Sequence, residues 1–147
     1  MKTPSQTVGP YYAIGLVRDR GDQGQLAADG IPLEGTLFDG QGEPISDGLI
    51  EAWDAAGARW GRSGTDADGR FALRVPADAG HLEVYVFARG LLRHQWTRIY
   101  LEEPADDEVL GSVDPSRRST LIARREGGGL RFDIHMQGED ATVFFVH

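Results

Sequence analysis

The sequence predicts an all-β protein, an antiparallel β-sandwich of about seven to eight short strands with little helix. Three observations carry this. Twenty glycines and seven prolines are spread through 147 residues as punctuation between short apolar runs, the pattern of many turns joining many strands. The runs alternate with a period of two: Leu82, Val84, Val86 and Ala88 fall on one face, Glu83, Tyr85, Phe87 and Arg89 on the other. Some strands carry bulky apolar groups on both faces, so sheet must pack on sheet.

The elements follow in order. Residues 1–16, with TPSQTVGPYYAIGL, hold turn formers and aromatics without a helical pattern, and read as an extended N-terminal arm. Residues 17–32 are polar and glycine-rich, a loop. LEGTLFD (33–39) is a strand leading into the turn GQGEP, and LIEAWDA (49–55) alternates Ile50, Ala52 and Asp54 against Leu49, Glu51 and Trp53. TDADGRFALRV (65–75) is an Asp-Gly turn feeding a strand. LEVYVFA (82–88) and WTRIYLE (96–102) are further strands; EPADDEVLGSV is an acidic loop with room for a helical turn, and DPSRRSTLIARRE permits a helix starting at Pro115. LRFDIHM (130–136) and ATVFFV (141–146) close the chain as a hairpin around QGED. No repeat or low-complexity segment interrupts the pattern, so one domain covers 1–147.

Composition removes several classes of function. A net charge of −8 opposes nucleic acid and anionic membrane surfaces. The absence of cysteine removes disulfides, thiolate metal sites, iron–sulfur clusters and thiol nucleophiles, and suits a reducing cytoplasm. MKTPSQTVGPYY has no apolar signal core and no run approaches membrane-spanning length, so a cytoplasmic protein is expected.

Candidate chemistry is sparse. His81 and Glu83 are two apart in a strand, so both side chains leave one face and can address one metal; a histidine beside a surface glutamate has the same spacing, and His-x-Glu is a weaker signal than His-x-His. His94 falls in a turn, His135 in a late strand and His147 at the end, with no spacing that ties them together. Asp66 and Asp68 precede Gly69 without the remaining ligands of a calcium loop. Ser5, Thr7 and Ser46 lack a nearby base, and EGGGL (126–130) is a turn, not a phosphate loop. Arg117, Arg118, Arg124 and Arg125 form either a basic patch or a surface paired with the acids of 102–108. Arg89 ends a strand before Gly90, where a guanidinium can take a carboxylate in two-pronged fashion.

Several segments, in this order, resemble one family: TPSQTVGPYYAIGL, GEPISDGLIEAWDAAG, GTDADGRFALRV, VFARGLLRHQWTRIYLEE, RRSTLIARRE and LRFDIHMQGEDATVFF. Together they are similar to the alpha subunits of those intradiol ring-cleavage dioxygenases that act on protocatechuate. The resemblance implies a β-sandwich without catalytic residues or metal of its own, in a higher alpha–beta oligomer. A beta subunit would bind ferric iron through two tyrosines and two histidines, and cleave protocatechuate between its hydroxyls with O2. It implies that His81 and Glu83 are vestigial ligand positions, standing where a catalytic relative has His-x-His. The connections that would supply the tyrosines, AAGARWGRSG and PADAGH, contain none. It further implies that Thr7, Gly9, Pro10, Tyr11 and Arg89 line the shared substrate cavity. Gly9 would permit close backbone approach, Pro10 stiffness, Tyr11 a flat wall, and Arg89 positive potential for an aromatic acid. The family's members are longer, the difference falling after Leu16, around Arg59 and between Val75 and His81.

Two rival readings remain. GTLFDGQGEPISDGLIEAWDA and TDADGRFALRV also resemble transthyretin-like and carboxypeptidase-regulatory-like sandwich modules that bind partners without catalysis; the arm and QGEDATVFF are not expected there. The other is a free-standing dioxygenase with a rebuilt site of His81, Glu83 and His94.

Overall fold

The computed structural model describes residues 2–4, 6–7, 9–17 and 25–146; Met1, Ser5, Val8, residues 18–24 and His147 lie outside the described residues. Two sheets face each other. The first orders its strands β4-β1-β8-β7, with β9 also paired to β1: β1 is Ile31–Phe38, β4 Arg70–Val75, β7 Arg124–Glu126, β8 Gly129–Arg131 and β9 Ile134–His135. The second runs β3-β2-β5-β6, from β2 Leu49–Asp54, β3 Arg59–Gly64, β5 His81–Phe87 and β6 Gln95–Tyr100. The all-β sandwich expected from the alternation is therefore what the chain forms.

The core lies between the sheets and follows the period of two. Leu82, Val84 and Val86 of β5 are fully buried, as are Ile50 and Ala52 of β2 and Ile99 of β6; Leu33, Leu37, Phe71, Leu73, Val75 and Ile134 meet them from the first sheet. Each such large aliphatic side chain contributes about 1.5–3 kcal/mol relative to exposure. The opposite face of β5, with Glu83, Tyr85 and Phe87, is only half-buried. A second apolar cluster of Tyr100, Leu110, Val113 and Leu121 caps the end of β6.

Four expectations are corrected. The arm is not extended throughout: Tyr11–Leu16 is a short helix, α1. Pro10 already has helical dihedrals (φ −71°, ψ −18°) and the Val17 amide closes onto the Ala13 carbonyl at 3.0 Å, so the fixed proline φ starts a turn that aromatic content alone did not suggest. RWGRSG, read as a plain connection, is β3. It is a polar edge strand held by cross-strand pairs, Trp53 opposite Trp60 and Asp54 opposite Arg59, whose side chains bond at 2.7 Å. LRFDIHM is broken at Asp133 into β8 and β9, both parallel to β1. Asp133 accepts from the Thr36 amide at 3.0 Å and pairs with Arg131 at 2.6 Å, which fixes the break. The turn around QGED closes once, the Thr142 amide donating to the His135 carbonyl at 2.9 Å, but residues 143–146 then cross to the second sheet instead of extending a hairpin ladder, Phe145 N–H donating to the Trp96 carbonyl at 2.8 Å. Pro115 opens a turn followed by a 3-10 helix at Arg118–Leu121, not an α-helix. The acidic loop does contain a helix, α2 (Glu108–Ser112), capped by Asp107, which accepts from the Leu110 amide at 2.8 Å.

Candidate functional site

β5 and β6 pair with His81 opposite Tyr100 and Glu83 opposite Arg98, which brings His81 and Glu83 against residues the sequence reading had not assigned. Glu83 is fully engaged. Its Oε1 takes the Arg98 guanidinium at 2.8 Å and lies 3.4 Å from His81 Nε2; its Oε2 accepts from the Trp96 indole N–H at 2.5 Å. Arg98 also reaches toward Asp107 (3.8 Å) and donates to the Tyr100 hydroxyl (3.4 Å), which in turn donates to Asp107 Oδ1 at 2.7 Å. One cation thus stands between two carboxylates at the open end of the strand pair, away from the turn that joins β5 to β6.

The protonation states follow from these contacts. Burial pushes Glu83 up, but the hydrogen bonds from His81 and Trp96 and the Arg98 charge outweigh it and hold the carboxyl below its usual range. Asp107 is held low in the same way: burial is outweighed by the Leu110 amide, the Tyr100 hydroxyl and Arg98. Burial raises the Tyr100 phenol, so it stays neutral as a donor. Burial opposes the charge on Arg98, and its bonds to Tyr100 and Glu83 restore and exceed it.

These residues do not fit a ferric ion. Such an ion needs several anionic oxygen and imidazole donors with open lone pairs. Here the Glu83 lone pairs are spent on N–H donors, a guanidinium already occupies the cation's place, and the nearest tyrosine is neutral and turned to Asp107. Among the described residues no group of three or more His, Cys, Asp or Glu side chains is placed to hold a metal. His94 is not brought to His81. It is exposed at the far end of β5, edge-on to Tyr85 at 5.2 Å and against Phe87 at 5.4 Å, a strand length of roughly 20 Å away. The rebuilt His81–Glu83–His94 site is therefore not formed.

The second grouping is at that far end. Arg89 is exposed and its Nε donates to Asp47 Oδ2 at 2.6 Å, with Nη2 on the same oxygen. It lines a groove of about 380 Å³ with Ile45, Ala88, Leu91, Met136 and Gln137. The positive potential expected of Arg89 is thus partly offset by a carboxylate of its own chain. Tyr12 of α1 lies beside it, its hydroxyl at 2.5 Å from the Asp47 carbonyl and 3.0 Å from the Phe87 carbonyl. Thr7, Gly9 and Tyr11 are exposed and Pro10 is half-buried. A Cβ on Gly9 would meet nothing within 4 Å, so any close approach that this glycine permits is to something other than the described residues. Of the basic residues, Arg124 pairs with Asp133 at 3.3 Å and Arg125 with Glu102 at 3.9 Å, while Arg117 and Arg118 bond backbone carbonyls, so they make no single patch.

Sequence reasoning missed Arg98, Asp107, Asp47 and Tyr12. The first was recoverable: a hairpin symmetric about Gly90 and Leu91 sets 98 opposite 83. Asp47 and Tyr12 rest on contacts between elements far apart in sequence, whereas Asp107 lies only seven residues after Tyr100 and meets it because the chain turns back at the start of α2.

No protein-family model matches the chain. A protein named protocatechuate 3,4-dioxygenase alpha chain from Burkholderia cepacia is 38% identical over 191 residues, covering 98% of this chain and 96% of the relative. The alpha chain of that name from Pseudomonas putida is 35% identical over 193 residues with the same coverage. Both alignments exceed the chain's 147 residues, so these relatives carry insertions that it lacks. The dioxygenase domain of a dioxygenase–carbohydrate-binding protein fusion from Streptomyces sp. SirexAA-E superposes with a TM-score of 0.56 at 24% identity, over 82% of this chain and 90% of that one, which shows a shared fold. Coverage of 98% includes the arm and C-terminal segment that separate this sequence from transthyretin-like binding modules, so that alternative is not favoured. On the strength of those two relatives, aligned over nearly its entire length, the chain belongs to the protocatechuate 3,4-dioxygenase alpha-chain family.

Proposed function

We propose that this chain is the non-metal subunit of a cytoplasmic protocatechuate 3,4-dioxygenase, a single domain over 1–147 that supplies scaffold and cavity wall to a beta subunit. The beta subunit would hold ferric iron and cleave protocatechuate between its hydroxyls with O2, giving 3-carboxy-cis,cis-muconate. Pairs would assemble into a higher alpha–beta oligomer. The observation that carries this reading is the Arg98 guanidinium seated between Glu83 and Asp107: the strand pair is intact, but its cation is a side chain. Supporting it, α1 presents Tyr11 (81% exposed) and Ile14 (68%) outward beside the Arg89 groove, an apolar edge suited to a partner. Arg89 would then meet the substrate carboxylate, with Thr7, Gly9, Pro10 and Tyr11 along the wall.

Co-expression with a candidate beta chain, co-purification and oxygen uptake on protocatechuate test this. Activity is expected of the pair, and Arg89→Ala should weaken protocatechuate turnover more than catechol turnover. A stoichiometric coloured iron centre in this chain alone would sink the reading.

A further inference from the structure

Arg89 is not a free surface arginine. Its Nε and Nη2 share one carboxylate oxygen of Asp47, at 2.6 Å for Nε, and Nη1 has no hydrogen bond to another described residue. The backbone on both sides of that pair is tied by one hydroxyl: Tyr12 Oη lies at 2.5 Å from the Asp47 carbonyl and 3.0 Å from that of Phe87, two residues before Arg89. One phenolic proton serves two acceptors, so α1, the Asp47 turn and the end of β5 meet at one atom. The Tyr12 ring also rests on Phe87, centroids 6.4 Å apart.

A free arginine carries about 2 kcal/mol of rotamer entropy that any ligand would have to remove. Held by Asp47, the fork loses that freedom before a ligand arrives, and its net charge toward the groove is reduced. What remains is a directed pair of N–H donors, which reads a planar carboxylate by geometry more than by field.

We propose that Asp47 and Tyr12 are positioning residues for Arg89, and that Asp47 sets the discrimination between carboxylated and uncarboxylated catechols; this rests on the alpha-subunit reading above. In the assembled alpha–beta enzyme, Asp47→Asn should raise KM for protocatechuate about tenfold, the worth of one charge-assisted hydrogen bond. KM for catechol should change far less, and Asp47→Glu should recover part of the loss. Equal changes on both substrates, or a fall in KM for protocatechuate, overturn the proposal. The isolated chain gives a second readout. The Arg89 Nε–H resonance should be resolved and slow to exchange, lost in Asp47→Asn and kept in Asp47→Glu, and Tyr12→Phe should speed amide exchange across Tyr11–Leu16. An unaltered Arg89 resonance in Asp47→Asn overturns the linkage itself. Absence of oxygen uptake by the unmutated pair bears instead on the alpha-subunit reading and leaves that resonance to decide the linkage.

Discussion

Glu83 of β5 and Arg98 of β6 are direct cross-strand partners, their charged groups 2.8 Å apart with side chains only 18% and 15% exposed. At that burial the pair is not a decorative surface ion pair. Removing one member leaves the other poorly solvated and uncompensated, which costs more than the intact pair contributes.

Arg98→Met is therefore expected to lower stability by about 3 kcal/mol at neutral pH, since it strands Glu83 and crowds Asp107 with no cation between them. Urea denaturation measures this. The deficit should shrink when the same comparison is made in mild acid, and Arg98→Met combined with Glu83→Gln should recover part of it. A single variant as stable as the parent would show that the network contributes nothing.

The acid limb has a predictable sign. Glu83 and Asp107 both sit below their ordinary values in the folded chain, so the unfolded chain takes up protons first. Their stabilisation is complete above the unfolded carboxylate range, about pH 4, and is lost as pH falls through the folded values. Melting temperature should hold from neutrality to about pH 5 and then fall, and Glu83→Gln should make that fall shallower.

Two raised phenols, Tyr100 and Tyr12, shape the alkaline limb, Tyr12 foremost. Burial first, and the Asp47 charge second, push the Tyr12 phenol up to about 12 against the opposing pull of Arg89. A raised folded value means the contribution is fully present below the unfolded value, about 10, and is lost as pH rises toward 12. Tyr12→Phe should flatten the loss of stability in that window, and phenolate absorbance of the folded protein should lose its latest-titrating component.

Gly35 and Gly9 should behave oppositely as alanines. A Cβ on Gly35 would stand 1.8 Å from the Phe132 carbonyl oxygen and 2.5 Å from the Phe71 ring, where backbone must move, so Gly35→Ala should cost about 3 kcal/mol or prevent folding. Gly9→Ala meets nothing within 4 Å and should leave the thermal midpoint of the isolated chain unmoved. If it also lowers activity of the assembled enzyme, the contact that Gly9 makes is with the partner or substrate.

Much of this molecule was legible along the chain. The alternation in β5 fixed which residues face the core, and each of Leu82, Val84 and Val86 is there because a period of two leaves them no other place. The absence of tyrosine from AAGARWGRSG and PADAGH, and of cysteine throughout, bounded the chemistry by simple inventory. Tertiary structure alone decided the rest. β3 is a strand because Trp53 and Asp54 meet Trp60 and Arg59 across it, not because its own residues favour one. The parallel pairing of β8 and β9 depends on Asp133 finding Thr36, 97 residues away. Arg98 as the internal cation, and the Tyr12–Asp47–Arg89 linkage, arise from charges and hydroxyls brought together by folding. Local pattern records which side of an element is apolar; it carries no record of which distant polar group will satisfy each charge.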